Sequence, residues 1–364
     1  PTNHRDMAAR EGVSRYLNGK KGLILVSHDR VFLDGCVDHV LALNRTTVEL
    51  QRGCFSTWQE NRRRQDEFEL QKNRRLKKEI GRLEAAAAEA GRRADGAEAV
   101  KLGRKAAVNA TQSMGRAYIG EKSRKMQMSR KNLERRRERE AEERKGLLKD
   151  VETVEDVKLL PLPWHSQVLV SARELTLSYG GHPVCGPLTF QIQGGQSTAL
   201  VGRNGCGKSS VLRAVLKAGG AGEGEKFPDW TGSLDVGRGM TISYVPQNAG
   251  FLRGSLEEFA AERGIEEHLL KALLRKLDFS REQFEKDMRD YSAGQKKKVL
   301  LAGSLCTPAH LYVWDEPLNY IDVFSRIQLE NLITNCRPTL LLVEHDRAFL
   351  ERIGAVQVAV AAAR

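Results

Sequence analysis

No stretch of the 364 residues approaches the roughly 20 consecutive apolar residues that a membrane-spanning helix needs. The apolar runs are short and strand-like, as at residues 340–343, so a helical span is excluded as the organising element. The six cysteines, at 36, 54, 185, 206, 306 and 336, form no C-x-x-C pair, and neither a zinc site nor a disulfide frame is written in the chain. Scattered thiols of this kind are expected to be reduced, as in the cytoplasm. Aromatic residues make up only 6 % of the chain and are nearly missing from residues 60–160, which therefore have little with which to build a core. The first ten residues are polar and charged, unlike the apolar centre of a secretory leader.

Charge is plentiful and unevenly placed. Residues 61–150 carry 27 Lys/Arg against 15 Asp/Glu and so hold by themselves the whole excess of +12. Within them, residues 101–130 have eight bases and one acid, Glu121. A localised excess points to a polyanionic partner more strongly than a uniformly high isoelectric point does.

The chain also repeats itself. Leu25-Val26-Ser27-His28-Asp29-Arg30-Val31-Phe32-Leu33 returns as Leu342-Val343-Glu344-His345-Asp346-Arg347-Ala348-Phe349-Leu350. Pro1-Thr2-Asn3-His4-Arg5-Asp6 and Pro317-Leu318-Asn319-Tyr320-Ile321-Asp322 precede them, with Pro-to-His separations of 27 and 28 residues. Matched spacing implies two copies of one domain. The first copy is expected to be the C-terminal part of a domain whose front half would lie upstream. Three regions follow: 1–59, the tail of the first copy; 60–160, a basic helical linker; and 161–364, an α/β domain. In the first region the patterning predicts strands over residues 23–26, 39–43 and 46–51. In the second, Phe68, Leu76, Ile80 and Leu83 space out an apolar stripe at helical period. Met126, Leu133 and Leu147 give a sparser one, and the Gly/Ala-rich residues 85–107 lie between. This predicts a hairpin of two antiparallel helices with about 30 residues a side, roughly 45 Å long at 1.5 Å per residue. Pro161 and Pro163 end it.

The third region carries the chemistry. Gly202-Arg203-Asn204-Gly205-Cys206-Gly207-Lys208-Ser209 fits G-x-x-x-x-G-K-[ST] between a strand (197–201) and a helix (210–216), the context of a P-loop. Its glycines let backbone N–H groups turn onto phosphate oxygens, with Lys208 the counter-charge and the Ser209 hydroxyl a ligand for Mg2+. Ser210 continues the helix. His310-Leu311-Tyr312-Val313-Trp314-Asp315-Glu316 is an apolar strand ending in two carboxylates. Asp315 is placed to hold Mg2+ and Glu316 to polarise the attacking water. Tyr291-Ser292-Ala293-Gly294-Gln295-Lys296-Lys297-Lys298 begins a helix 23 residues before Asp315. Its N-terminal donors suit a γ-phosphate, and Ser292 also reads as a plain helix cap.

The order Tyr179, P-loop, Gln247, Ser292-x-Gly294-Gln295, Asp315-Glu316, His345 resembles that of ABC ATPases. The resemblance implies an ABC-type P-loop nucleotide-binding domain of α/β class. It implies that ATP is held by Tyr179, Gly202, Asn204, Gly205, Gly207, Lys208, Ser209, Ser210 and Gln247. The signature would be Ser292, Gly294 and Gln295, the Mg2+ ligands Ser209, Gln247 and Asp315, and the catalytic groups Glu316 and the switch histidine His345. His28 is then the switch histidine of the first copy.

Two ABC domains joined by a charged helical hairpin resemble the ABC-F family. Within it, Trp314-Asp315-Glu316-Pro317-Leu318-Asn319-Tyr320-Ile321-Asp322 and Ala117-Tyr118-Ile119-Gly120 are most similar to the subgroup that protects ribosomes from lincosamides, streptogramin A and pleuromutilins. In Pro1-Thr2-Asn3-His4-Arg5, Arg5 departs from the family's leucine. This implies a cytoplasmic ATPase acting on the ribosome, with no stable membrane partner. The linker would meet ribosomal RNA and P-site tRNA through Arg116, Lys122, Arg124, Lys125 and Arg130. A housekeeping translation factor of the same family is the nearest alternative. A transporter's ATPase subunit has no use for a cationic hairpin between domain copies. A chromosome-organising ATPase would place its coiled coil between P-loop and signature, where this chain has only 90 residues from Gly202 to Ser292. With one P-loop and one signature, both from the same copy, the 364 residues are expected to turn ATP over weakly.

Overall fold

A computed structural model describes residues 7–20, 22–43, 48–104, 161–221 and 226–363. The chain divides into two compact units, residues 1–56 with 154–364, and residues 57–153.

In the first unit, residues 161–363 build two sheets. β3 (Val168–Tyr179), β4 (His182–Gln193) and β6 (Asp229–Val236) form an antiparallel sheet in the order β4-β3-β6. β5 (Ser197–Val201), β7 (Ile242–Val245), β8 (Leu311–Asp315), β9 (Leu340–Val343) and β10 (Val356–Ala359) form a parallel sheet in the order β10-β5-β9-β8-β7. β8 and β9 are buried at every position, which is why they read as unbroken apolar runs and not as alternations. The helix Lys208–Ala218 touches β3 and β6 of one sheet and β8 and β9 of the other. It buries Val211, Leu212, Ala214, Val215 and Leu216, each large side chain stabilising the layer by about 1.5–3 kcal/mol. A second core gathers under the helices Leu256–Glu262, Glu267–Lys276, Ala293–Cys306 and Val323–Cys336.

The N-terminal segment belongs to the same unit. β1 (His39–Leu43) and β2 (Val48–Arg52) pair as an antiparallel hairpin, close to the two strands expected there. Residues 23–26 form no strand, contrary to expectation; Ile24 is 97 % and Val26 77 % exposed. Their repeat partner, β9, lies between β5 and β8. Among the described residues nothing pairs with 23–26, and a strand without a ladder leaves its backbone groups to water. The repeated Asp-Arg-x-Phe does fold alike in both copies. Asp29 caps the helix Arg30–Asp34 by accepting from Phe32 N, and Asp346 caps Arg347–Arg352 by accepting from Phe349 N. Those two helices pack on each other.

The second unit begins within the helix Phe55–Arg104, which is 50 residues long and about 75 Å at 1.5 Å per residue. It runs through Gly81 and most of the Gly/Ala-rich stretch 85–107 that lies between the two apolar stripes. Four glycines fall within it, at 81, 91, 96 and 103, each costing about 1 kcal/mol against alanine, spread over 50 residues rich in alanine, arginine and glutamate. No helix among the described residues is long and apolar enough to cross a membrane.

Candidate functional site

β5 delivers the chain into the P-loop, whose last residue before the helix, Gly207, is its N-cap in the left-handed conformation, φ +97 and ψ 12. A Cβ at that position would lie 2.8 Å from Cys185 Cβ, so the loop closes on β4 only with glycine. No side chain caps this helix start, the arrangement that suits a phosphate. Lys208 is buried, and its Nζ donates to the carbonyls of Gly202 at 3.0 Å and Arg203 at 2.9 Å. Asn204 and Gly205 are exposed on the loop. Tyr179, ending β3, donates from its hydroxyl to Ser210 Oγ at 3.4 Å, which sets its ring beside the start of the same helix.

Ser209 Oγ donates to Asp315 Oδ1 at 3.1 Å. Asp315 ends β8 and is buried; burial pushes its carboxyl above the usual range while Ser209 and Lys297 oppose the rise. A hydroxyl and a buried carboxylate in contact beneath a P-loop are a donor set that Mg2+ fits, because the cation would offset the desolvation of Asp315.

Glu316 follows with φ +46, the left-handed region that a non-glycine residue enters at a cost of about 1–3 kcal/mol. The turn is held from several sides. Glu316 N donates to Val343 O at 3.0 Å. Gln247 Nε2 donates to Glu316 Oε2 at 2.8 Å, and Asn319 Nδ2 donates to the same oxygen. Gln247, expected at the nucleotide and the metal, is thereby in direct contact with the proposed catalytic carboxylate.

Ser292 caps the helix Ala293–Cys306 in a closed capping box: Gln295 N donates to Ser292 Oγ at 3.2 Å and Ser292 N to Gln295 Oε1 at 2.8 Å. Gly294 faces the Tyr320 carbonyl, which a Cβ would approach to 2.5 Å. One turn on, Lys297 is fully buried, and burial lowers its ammonium to about 8 against the pull of Asp315, Glu344 and Glu316. A cleft of about 400 Å³ opens here, lined by Gln247, Asn248, Tyr291, Lys296 and Tyr320 among others.

His345 is buried in the turn after β9. Glu344 accepts from His345 N at 2.7 Å, Asp346 N at 3.2 Å and Leu318 N at 3.2 Å. Arg326 donates to Asp346 Oδ2 and Leu318 O at 2.9 Å and to Ile321 O at 3.0 Å. These two buried groups tie the loop after Glu316 to the turn of His345. His28 faces the same region from the N-terminal segment. Although it is exposed on one side, packing on the other, with Arg326 and Lys298 opposing Asp322, holds its pKa below the ordinary histidine value.

P-loop, Asp315, Glu316, Gln247 and the turn of His345 therefore meet at the ends of β5, β7, β8 and β9, while residues 292–295 head a helix tied into the same loops. Sequence reasoning missed Lys297, Asn319, Arg326 and Glu344. None of the four carries a local signal: Lys297, for one, is the middle of three consecutive lysines, and only its full burial sets it apart. Residues 1–6 and the linker residues Arg116, Lys122, Arg124, Lys125 and Arg130 lie outside the described residues.

A parallel sheet whose strands end in a P-loop and an Asp-Glu turn, flanked by an antiparallel sheet and a capped signature helix, defines an ABC-type nucleotide-binding domain. A family model described as ABC transporter matches residues 185–319. Among curated proteins, the putative ATP-binding protein YdiF of Bacillus subtilis is 28 % identical over 97 % of this chain and 50 % of its own length. The ribosome protection protein VmlR of Bacillus subtilis is 28 % identical over 97 % of the chain and 62 % of its own length. The energy-dependent translational throttle protein EttA of Mycobacterium tuberculosis is 26 % identical over 97 % and 57 %. The similarity to these proteins thus extends well beyond residues 185–319, and the chain spans 50 to 62 % of their length.

Proposed function

We propose that this chain works as part of an ABC-F-type ATPase that acts on the ribosome and protects it from antibiotics of the peptidyl-transferase centre. The observation that carries the reading is a P-loop and an Asp315-Glu316 turn brought together within a chain that resembles, along 97 % of its length, a protein named for ribosome protection. In this reading the P-loop amides and Lys208 hold the phosphates of ATP, and Tyr179 packs on the adenine. Ser209, Asp315 and Gln247 hold Mg2+, which when bound draws charge from the phosphate oxygens. Glu316, fixed by Gln247 and Asn319, polarises the water that yields ADP and phosphate, with His345 beside it. Residues 292–295 face a nucleotide held by another P-loop. The basic linker, through Arg116, Lys122, Arg124, Lys125 and Arg130, meets ribosomal RNA and P-site tRNA in the cytoplasm. Co-sedimentation with ribosomes across a salt series tests the partner. If about four of the linker cations touch phosphates, log affinity should fall against log salt with a slope near −3. Arg124→Glu with Lys125→Glu should weaken binding and flatten that slope. Binding and slope both unchanged in this variant would remove the linker from the interface.

A second reading has nearly the same similarity behind it, since a protein named as a translational throttle is 26 % identical over 97 % of the chain. Survival of cells on lincosamides and pleuromutilins when the protein is expressed separates the two: a drug-independent effect on translation, without survival, favours the throttle.

A further inference from the structure

Lys297 is buried to 1 % exposure near the start of the helix Ala293–Cys306. Its Nζ donates to the carbonyls of Pro246 at 2.8 Å, Asp315 at 3.0 Å and Gln247 at 3.4 Å. All three acceptors are backbone, on two loops far apart in sequence. Taking an ammonium out of water is expensive when no carboxylate pairs with it directly, and a methionine would fill the same volume without that cost. What the position gains is a three-way tie. Pro246 and Gln247 follow β7 and set the Gln247 amide against Glu316; Asp315 ends β8 and bears the contact to Ser209; the lysine itself rides on the signature helix.

Resting on the ATP-site reading above, we infer that Lys297 is a positioning residue for the Mg2+–nucleotide site. Its three donors clamp the Gln247 loop to the Asp315-Glu316 turn and link both to the helix headed by residues 292–295. A displacement of that helix therefore moves the metal-side ligands with it. None of the three acceptors lies on the P-loop, which meets the clamp through Ser209 and Asp315 on the metal side, so the contacts of Lys208 and the loop amides to nucleotide alone are not expected to feel it.

The test is the affinity of the 364-residue chain for a fluorescent ATP analogue, measured with Mg2+ and with chelator. Lys297→Met should leave the Mg2+-free affinity as in the wild type and remove about tenfold of the tightening that Mg2+ confers, the scale of hydrogen bonds from a charged donor. Lys297→Arg, which keeps donors in place, should recover part of it. Full Mg2+ tightening in Lys297→Met overturns the inference. So does a parallel loss of both affinities together with a lowered melting temperature, which marks a packing residue. Should Lys297→Met not fold, Lys297→Gln, with one amide donor, is read by the same two affinities and the same criteria. A wild-type chain that binds no nucleotide overturns the ATP-site reading, and this inference with it.

Discussion

Buried titratable side chains are held by local contacts whose cost sets how the domain responds to pH. The thiols of Cys185 and Cys306 are buried, and burial pushes them from an ordinary 9.0 to about 11 and about 12. Tyr291 is pushed by burial to about 12. In each case the unfolded chain loses its proton first as pH rises. Above about pH 9 for the two thiols, and above about pH 10 for Tyr291, the unfolded state therefore holds fewer of these protons than the native one, and these groups make stability fall as pH rises. Each such group contributes a slope of up to about 1.4 kcal/mol per pH unit. Lys297 acts the other way, because its native ammonium, lowered to about 8, gives up its proton before the unfolded one, so it adds stability as pH rises from about 8 towards 10.5. The thiols are therefore read by comparing urea midpoints of wild type and variant over pH 7, 8, 9 and 10. In Cys306→Ala the slope between pH 9 and 10 should be more positive than in wild type, whatever the cost of the substitution at pH 7. An unchanged slope would contradict the burial of that thiol. The same burial should keep Cys185 and Cys306 from alkylation in the native chain while half-buried Cys36, Cys54 and Cys336 react.

Elements meet through a few close contacts, and two of these decide how the unit is assembled. Gly294 stands where helix propensity and packing disagree. Alanine is better in a helix by about 1 kcal/mol, whereas its Cβ would press on the Tyr320 carbonyl at 2.5 Å. Because a backbone atom yields only by moving its loop, the clash should win, with Gly294→Ala losing about 1–3 kcal/mol. Chemical denaturation that found it more stable than wild type would contradict the contact. The second contact is Arg30, bound to Glu330 through both guanidinium nitrogens, with the two side chains 11 % and 4 % exposed. Removing one partner strands the other in the protein, so Arg30→Ala should cost about 3–5 kcal/mol and open residues 7–56 to limited proteolysis. Cleavage in that segment no faster than in wild type would mean that the bridge does not hold it.

These contacts also show what the sequence conveys. The P-loop was legible because a left-handed backbone at Gly207 writes glycine into the chain, and because Lys-Ser follows at fixed spacing. The Asp-Arg-x-Phe caps were legible as a repeat for the same local reason. β8 and β9 were legible as apolar runs because both faces are covered. The Lys297 clamp and the Arg326 bridges were not, since they join segments from 5 to 51 residues apart and no local pattern announces them. Residues 23–26 show the converse: an apolar run with strand propensity makes no strand without neighbours.

For the whole molecule, the 364 residues hold one P-loop and one signature. If each nucleotide needs a P-loop from one domain and a signature from another, turnover by this chain should be slow and should rise more steeply than linearly with its concentration. Linear turnover, at the rate of a two-domain relative, would refute the shared arrangement. The reading of residues 161–364 as an Mg2+–ATP site stands or falls on equilibrium binding of ATP. Titration of the chain should give saturable, Mg2+-dependent binding that Glu316→Gln retains. Lys208→Ala should weaken it roughly 10- to 100-fold, the worth of a charged hydrogen-bond donor. Binding by Lys208→Ala as tight as that of the wild type, or none by the wild type at millimolar ATP, would contradict the account.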